Sequence, residues 1–429
     1  MADAFDVIVI GAGPAGLSAA RAAASAGKRV ALVDNQARPG GQVWRHDLRH
    51  GQPADARRVI DALPAGVHRL ADTQVVAATT DELLLQNDAG GFTLAWTSLV
   101  IATGGRELLM PFPGWTLPGV TGAGGLQALA KQGWPLAGRR VVIAGSGPLL
   151  LAAAATARRH GAQVLAIAEQ ASPTDVNRFA ASLWRWPGKL AQAVALRTRL
   201  AGVPYRTDTL AVAAHGGDRV DAVELRGPGG VDRIDCDLLA VGYGLVPQME
   251  LADALGCTSA SEGAHRHVAV DARQATSVVG VYAAGEACGI GGRDCALVEG
   301  EIAGLAAAGV TPSPTLLRRR DHARAFAARL NTHFALRDAV RALPDPQTIV
   351  CRCEDVTWEQ LQAHAGSRAA KLGTRCGMGA CQGRVCGGAL AELRHFHRGA
   401  PRPPVFPARL ATLGEPQPFD SSVYPGVHP

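Results

Sequence analysis

Residues 5–34 read FDVIVIGAGPAGLSAARAAASAGKRVALVD. Phe5–Ile10 is an apolar run ended by glycine, the mark of a buried strand. GAGPAG is a turn, Leu17–Ala26 an alanine-rich helix stopped by Gly27, and Arg29–Val33 a second strand. The stretch is therefore a βαβ unit. In GAGPAG, Gly11 permits the tight turn, Gly13 lets backbone approach a pyrophosphate, and Gly16 lets the helix pack close to the strand. With Pro14 and Ala15 they place free helix N–H groups where phosphates would sit. Asp34, 18 residues after Gly16, stands where an acid can bond a ribose hydroxyl, with Asn35 beside it.

Residues 139–169 repeat the plan. Arg140–Ala144 is a strand, GSGPLL a turn, Leu151–His160 a helix, and Gln163–Ala168 a strand. Gly145 and Gly147 fill two of the three glycine places, Leu150 the third, and Glu169 ends the second strand. TSVVGVYAAGEACG at 276–289 reads as a buried strand and turn, followed by a helix from about Asp294 to Ala308. That would return the chain to the first unit. The expected fold is α/β, with two Rossmann-like dinucleotide-binding domains, the second inserted in the first, and a small C-terminal cysteine domain. The expected bounds are 1–112 and 261–312 for the first domain and 113–260 for the second. A linker with a basic helix near 316–340 spans 313–348, the cysteine domain 349–395, and an extended proline-rich tail 396–429.

Five of nine cysteines fall within 36 residues: Cys351, Cys353, Cys376, Cys381 and Cys386. Dense thiols without a secretion signal point to metal rather than disulfides. Cys351 with Cys353, and Cys381 with Cys386, place four thiolates on two short loops, which suits a 2Fe–2S cluster or zinc. By spacing alone, Cys376 with Cys381 remains an open alternative pair. Cys288 and Cys295, seven apart, read as ordinary core or surface thiols.

The chain carries 43 basic and 37 acidic residues, a net +6, with no basic aromatic stripe, so nucleic acid is not an expected partner. At 47% hydrophobic and 19% charged it is a globular composition. No run approaches the roughly 18 apolar residues that span a bilayer. The strand at the N-terminus leaves no room for a signal peptide, so cytoplasmic residence is expected, with a peripheral seat on the inner face of the membrane left open.

PGGQVWR at 39–45, with Gly41 and Gln42, LVIATGGRE at 99–107, with Ala102, Thr103 and Gly104, and VYAAGEA at 281–287, with Gly285 and Glu286, add a specific resemblance. The chain resembles the two-dinucleotide-binding-domain flavoproteins of the glutathione- and thioredoxin-reductase superfamily over residues 5–310. That resemblance implies FAD at the first site, with the acid after the YAxG strand on the flavin side; here it is Glu286 in place of Asp. In that family the second domain takes NAD(P)H. Here its occupant stays open between NAD(P), another adenine nucleotide, and none. The family's CxxC or CxxxxC redox pair is missing from residues 1–235.

The CxC…GMGxCQGxxC pattern resembles the 2Fe–2S domain named after bacterioferritin-associated ferredoxin, which favours Cys351, Cys353, Cys381 and Cys386 as ligands and leaves Cys376 spare. The whole order resembles the alpha-type subunit of heteromeric bacterial amino- and imino-acid dehydrogenases, such as opine oxidase, hydroxyproline and proline dehydrogenases and hydrogen cyanide synthase. FPGWTLPGVTGAGGLQ at 112–127 and GIGGRDCALVEG at 289–300 carry it further. It implies an electron-transferring subunit, a D-amino-acid-oxidase-like flavoprotein partner and a small ferredoxin-like subunit. Alternative readings are a stand-alone NAD(P)H-dependent reductase and a zinc-stapled scaffold. No catalytic residue, amine substrate or terminal acceptor can be named from the residues.

Overall fold

The computed structural model describes residues 5–399, 401–414 and 416–419. Its first sheet is centred on Phe5–Ile10. Val30–Val33 and then Val67–Leu70 lie parallel on one side, and Gly90–Ile101 on the other. Gly90–Ile101 serves two sheets in one strand. Its C-terminal half pairs parallel with Phe5–Ile10 and Val281–Ala283, and its N-terminal half pairs antiparallel with Glu82–Asn87. The second sheet is parallel throughout, in the order Tyr205–Arg206, Gln163–Glu169, Arg140–Gly145, Leu238–Gly242, Val120–Gly122. The chain therefore leaves the first sheet after residue 101, builds the second, and returns at 281.

Phe5–Ile10 and Arg140–Gly145 were expected from their apolar runs, and their residues are buried almost throughout, as a parallel sheet under helices requires; Leu238–Gly242, not singled out from the sequence, is buried in the same way. The helices start earlier than their apolar runs: Pro14–Ser25 and Leu149–Arg159 begin at or next to proline, whose fixed φ suits a first helical turn. Residues 276–280 are not strand; only Val281–Ala283 is extended. There Thr276 Oγ donates to the Val278 and Val281 carbonyls and Gly280 takes φ +79°, which closes a turn.

The return helix Arg293–Ala307 packs on Pro14–Ser25 with almost no space between backbones. A Cβ on Gly300 would lie 2.1 Å from Ala15 O, and one on Gly304 2.2 Å from Ala19 O. The linker helix runs Pro314–His333, capped by Ser313, whose hydroxyl accepts the Leu316 N–H. The cysteine unit holds three helices among its described residues, the last of them Cys386–Arg394. Trp358–Gln362 is started by a Thr357/Gln360 capping box, and Ser367–Thr374 follows. The unit is bolted to the rest by Trp115 Nε1 on the Ile349 carbonyl and by Ala389 in the core with Leu108 and Val246. The tail crosses the first sheet: Val405 N–H donates to Val76 O, and Gln417–Pro418 pairs with Gly90–Ile101. Its residues 420–429 lie outside the described residues.

Candidate functional site: a dinucleotide cavity and a thiol cluster

The helix Pro14–Ser25 begins at Gly13 with no side-chain cap and no acid in its first turn. Its first N–H groups therefore stay available to an anion. Gly11 takes φ +106°, and a Cβ there would lie 2.3 Å from Ala102 O; one on Gly16 would lie 1.7 Å from Gly11 O. Those two glycines are obligatory for packing. Gly13 differs: nothing but the Gly41 Cα, at 3.9 Å, meets its Cβ position, so its open side faces the cavity.

That cavity is about 1410 Å³. Gly11, Gly13, Pro14, Ala15, Asp34, Asn35, Gly41, Gln42, Ala102, Thr103, Gly104 and Glu286 all line it, so the first-site residues chosen from sequence converge on one space, with Gly16 and Gly285 packed behind. Asp34 accepts the Ala12 and Gln36 N–H groups, while burial raises its pKa. The Thr103 hydroxyl donates to Gln248 O, and Gln248 Nε2 returns a bond to Thr103 O at 2.9 Å. Glu286 accepts the N–H groups of Gly291 and Gly292 at 3.0 and 3.1 Å, which fixes the loop before the return helix. Burial pushes its pKa up to about 7.

The second motif is closed differently. Glu169 is fully buried and its oxygens accept the Gly147 and Ala171 N–H groups at 2.7 and 2.9 Å. Burial raises its pKa to about 7. Over the loop lies the segment that leaves the linker helix. Ser146 Oγ donates to Phe334 O at 2.9 Å, Gln170 Nε2 donates to Ala335 O at 2.8 Å, and the Arg337 guanidinium holds Gln170 O. The Phe334 ring lies 3.5 Å from the Cβ position of Gly147. Gly145 packs on the Gly242 carbonyl.

The five clustered cysteines lie together in two groups. The sulfurs of Cys351, Cys376 and Cys386 lie within 4.8 Å of one another, and Cys353 hydrogen-bonds to Cys381. Cys376, read as spare, thus stands inside the first group. Bonds from Cys376 and Cys386 hold the Cys351 thiol down to about 2, while the Cys376 thiol is pushed up to about 12 by Cys351. Gly377 donates its N–H to Cys351 Sγ at 3.5 Å. All five are free thiols, as are Cys288 and Cys295, whose pKa values burial raises.

Sequence reasoning missed the piece between the two sites. Glu250, 4% exposed, pairs with Arg106 of the cavity wall at 2.8 Å and with Arg398 at 2.7 Å. Arg384, between Cys381 and Cys386, reaches it at 3.6 Å and stacks over Phe406, which lines the cavity. Arg106 and Arg398 carry the Glu250 carboxyl down to about 2 against its burial. A lone Glu among arginines far apart in the chain gives no sequence signal. Glu107, likewise missed, caps the helix Ala123–Lys131 through the Gly124 and Gly125 N–H groups.

Two parallel sheets of this topology, with one glycine loop open and dinucleotide-sized, define an oxidoreductase of the two-domain nucleotide-binding class. Residues 5–318 match the model of the pyridine nucleotide-disulphide oxidoreductase family, and the chain belongs to that family. Over most of its length it is similar to an opine oxidase subunit of Rhizobium meliloti (strain 1021), 35% identical over 91% of this chain and 92% of the relative. It is similar also to hydrogen cyanide synthase subunit HcnB of Pseudomonas protegens, 31% identical over 90% and 91%. In fold it is similar to L-proline dehydrogenase from P. horikoshii, with a TM-score of 0.68 at 16% identity over 96% of this chain and 80% of that one. Among the described residues no helix is long and apolar enough to cross a membrane.

Proposed function

We propose that this chain is the electron-transferring subunit of a heteromeric amino- or imino-acid dehydrogenase acting on CH–NH or CH–NH2 donors. FAD would lie along the glycine loop, and Cys351, Cys353, Cys381 and Cys386 would hold a 2Fe–2S cluster. When bound, flavin accepts electrons in pairs and releases them singly, and the cluster takes one at a time. The residues fit both groups: an uncapped helix start faces a cavity of dinucleotide size, and the clustered thiols stand at a strand end, on turns and at a helix start, with an N–H already on sulfur at Cys351. The supporting observation is Glu250, which joins the cavity wall at Arg106 to the cysteine unit at Arg384 and Arg398. This chain's own residues would hold the two centres at a fixed separation and keep water from the path between them.

The similarity to subunits of opine oxidase and hydrogen cyanide synthase supports a partner that handles the substrate. A D-amino-acid-oxidase-like flavoprotein is the proposed partner, with a small ferredoxin-like subunit beside it. Phe334 and Arg337 over the second glycine loop favour entry of electrons from that partner over NAD(P)H. The test is anaerobic purification followed by flavin, iron and zinc analysis. One flavin and two irons per chain are expected, and zinc without iron would remove the second centre.

A further inference from the structure

The cavity runs past the glycine loop into the cleft between the two sheets. There its wall is made by Arg45 of the first sheet's loop and by two helix ends from the second, Lys131 of Ala123–Lys131 and Arg159 just inside His160. Lys131 is only 9% exposed, and among the described residues its ammonium makes no hydrogen bond or ion pair. The charges around it are Arg159, Asp47 and Arg45. Asp47 is already committed: it accepts from Arg159 and His160 at 2.9 Å each and from the N–H groups of Arg49 and His50. Arg45 donates to Gln42, but its Nε is buried without a partner. Asp34 faces Arg45 from the end of the strand Val30–Val33, where it holds the Ala12 and Gln36 N–H groups.

A buried ammonium beside two guanidiniums is costly unless an anion completes it. We propose that Lys131, Arg45 and Arg159 form a binding site for the phosphoryl group of a small molecule seated between the sheets, distinct from the pyrophosphate place at the glycine loop. This rests on the reading that the loop holds the flavin dinucleotide. The donors come from three separate segments that line the same cavity. They match a tetrahedral oxyanion, whose oxygens point several ways, better than a planar carboxylate.

The test titrates the full-length flavin-loaded protein with inorganic phosphate and pyrophosphate at constant ionic strength by calorimetry, with acetate as the carboxylate arm. Saturable binding of a phosphate species is expected, at least tenfold weaker in Lys131→Met and largely restored in Lys131→Arg, at an unchanged flavin-to-protein ratio. Absence of saturable phosphate binding to the unmodified protein overturns the proposal, whatever the variants do. So does acetate binding as tightly, or flavin lost in step with Lys131→Met, since the cations would then serve a carboxylate or the dinucleotide itself. If the purified protein carries no flavin, the dinucleotide reading fails on its own; dependence of phosphate binding on Lys131 is still read separately.

Discussion

Single residues decide whether the cavity exists and how it joins the thiol unit. A methyl group on Gly16 would collide with the Gly11 carbonyl at 1.7 Å. Gly16→Ala should cost about 2 kcal/mol and strip the flavin, seen as a lower melting midpoint and loss of visible absorbance. Gly13 has room for a Cβ but none to spare for a ligand beside it, so Gly13→Val should fold and yet purify without flavin. Glu250 is a different case. Its folded pKa of about 2 lies below the ordinary 4.5, so its contribution is full above pH 4.5 and is lost as pH falls towards 2. Glu250→Gln leaves Arg106 and Arg398 facing a neutral amide and should destabilise by about 3–5 kcal/mol. The gap between the denaturant midpoints of the two proteins should narrow as pH falls from 7 to 3; a constant gap would show that the charge of Glu250 is not what matters.

At the scale of elements, the segment that follows the linker helix lies over the second nucleotide loop. Ser146 Oγ and Gln170 Nε2 donate to the Phe334 and Ala335 carbonyls, and the Phe334 ring stands 3.5 Å from the Cβ position of Gly147; we propose that this cover competes with a nucleotide at the loop. Reduction of the flavin by NADH or NADPH in a stopped-flow instrument should therefore fall far short of turnover, and fast bleaching by either would contradict that. The joint variant Phe334→Ala, Arg337→Ala should raise nucleotide binding without changing flavin content.

The sequence made the glycine loops, the parallel strands and the thiol spacing legible because each is a local pattern with a local cause. Leu150 in place of the third glycine already set the second loop apart. What covers that loop was not legible, because the covering residues come from 187 positions away, between Gly147 and Phe334, in a stretch that reads as linker. Glu250 and its arginines were hidden for the same reason. The antiparallel strands Leu210–His215, Ala222–Gly227 and Gly230–Asp235 were missed because their alternation is weak and Gly227 and Gly230 sit at the turn. Residues 276–280 misled because an apolar valine pair looks like strand, while the Thr276 hydroxyl and Gly280 make a turn.

At the scale of the molecule, contacts between residues far apart in the chain tie the two sheets, the linker and the thiol unit together, among them the Asp47 grip on Arg159 and His160, the Glu250 hub and the tail across the first sheet. The proposed function requires a 2Fe–2S centre on Cys351, Cys353, Cys381 and Cys386, with a flavin in the neighbouring cavity. The most direct measurement is iron content with the reduced-state paramagnetic resonance signal in five single Cys→Ser variants, prepared without oxygen. Loss of iron and signal is expected in those four variants, and retention in Cys376→Ser. Because Cys376 stands within 4.8 Å of Cys351 and Cys386, the series discriminates sharply: a signal that survives Cys386→Ser and vanishes in Cys376→Ser, or a native protein holding zinc and no iron, would contradict it.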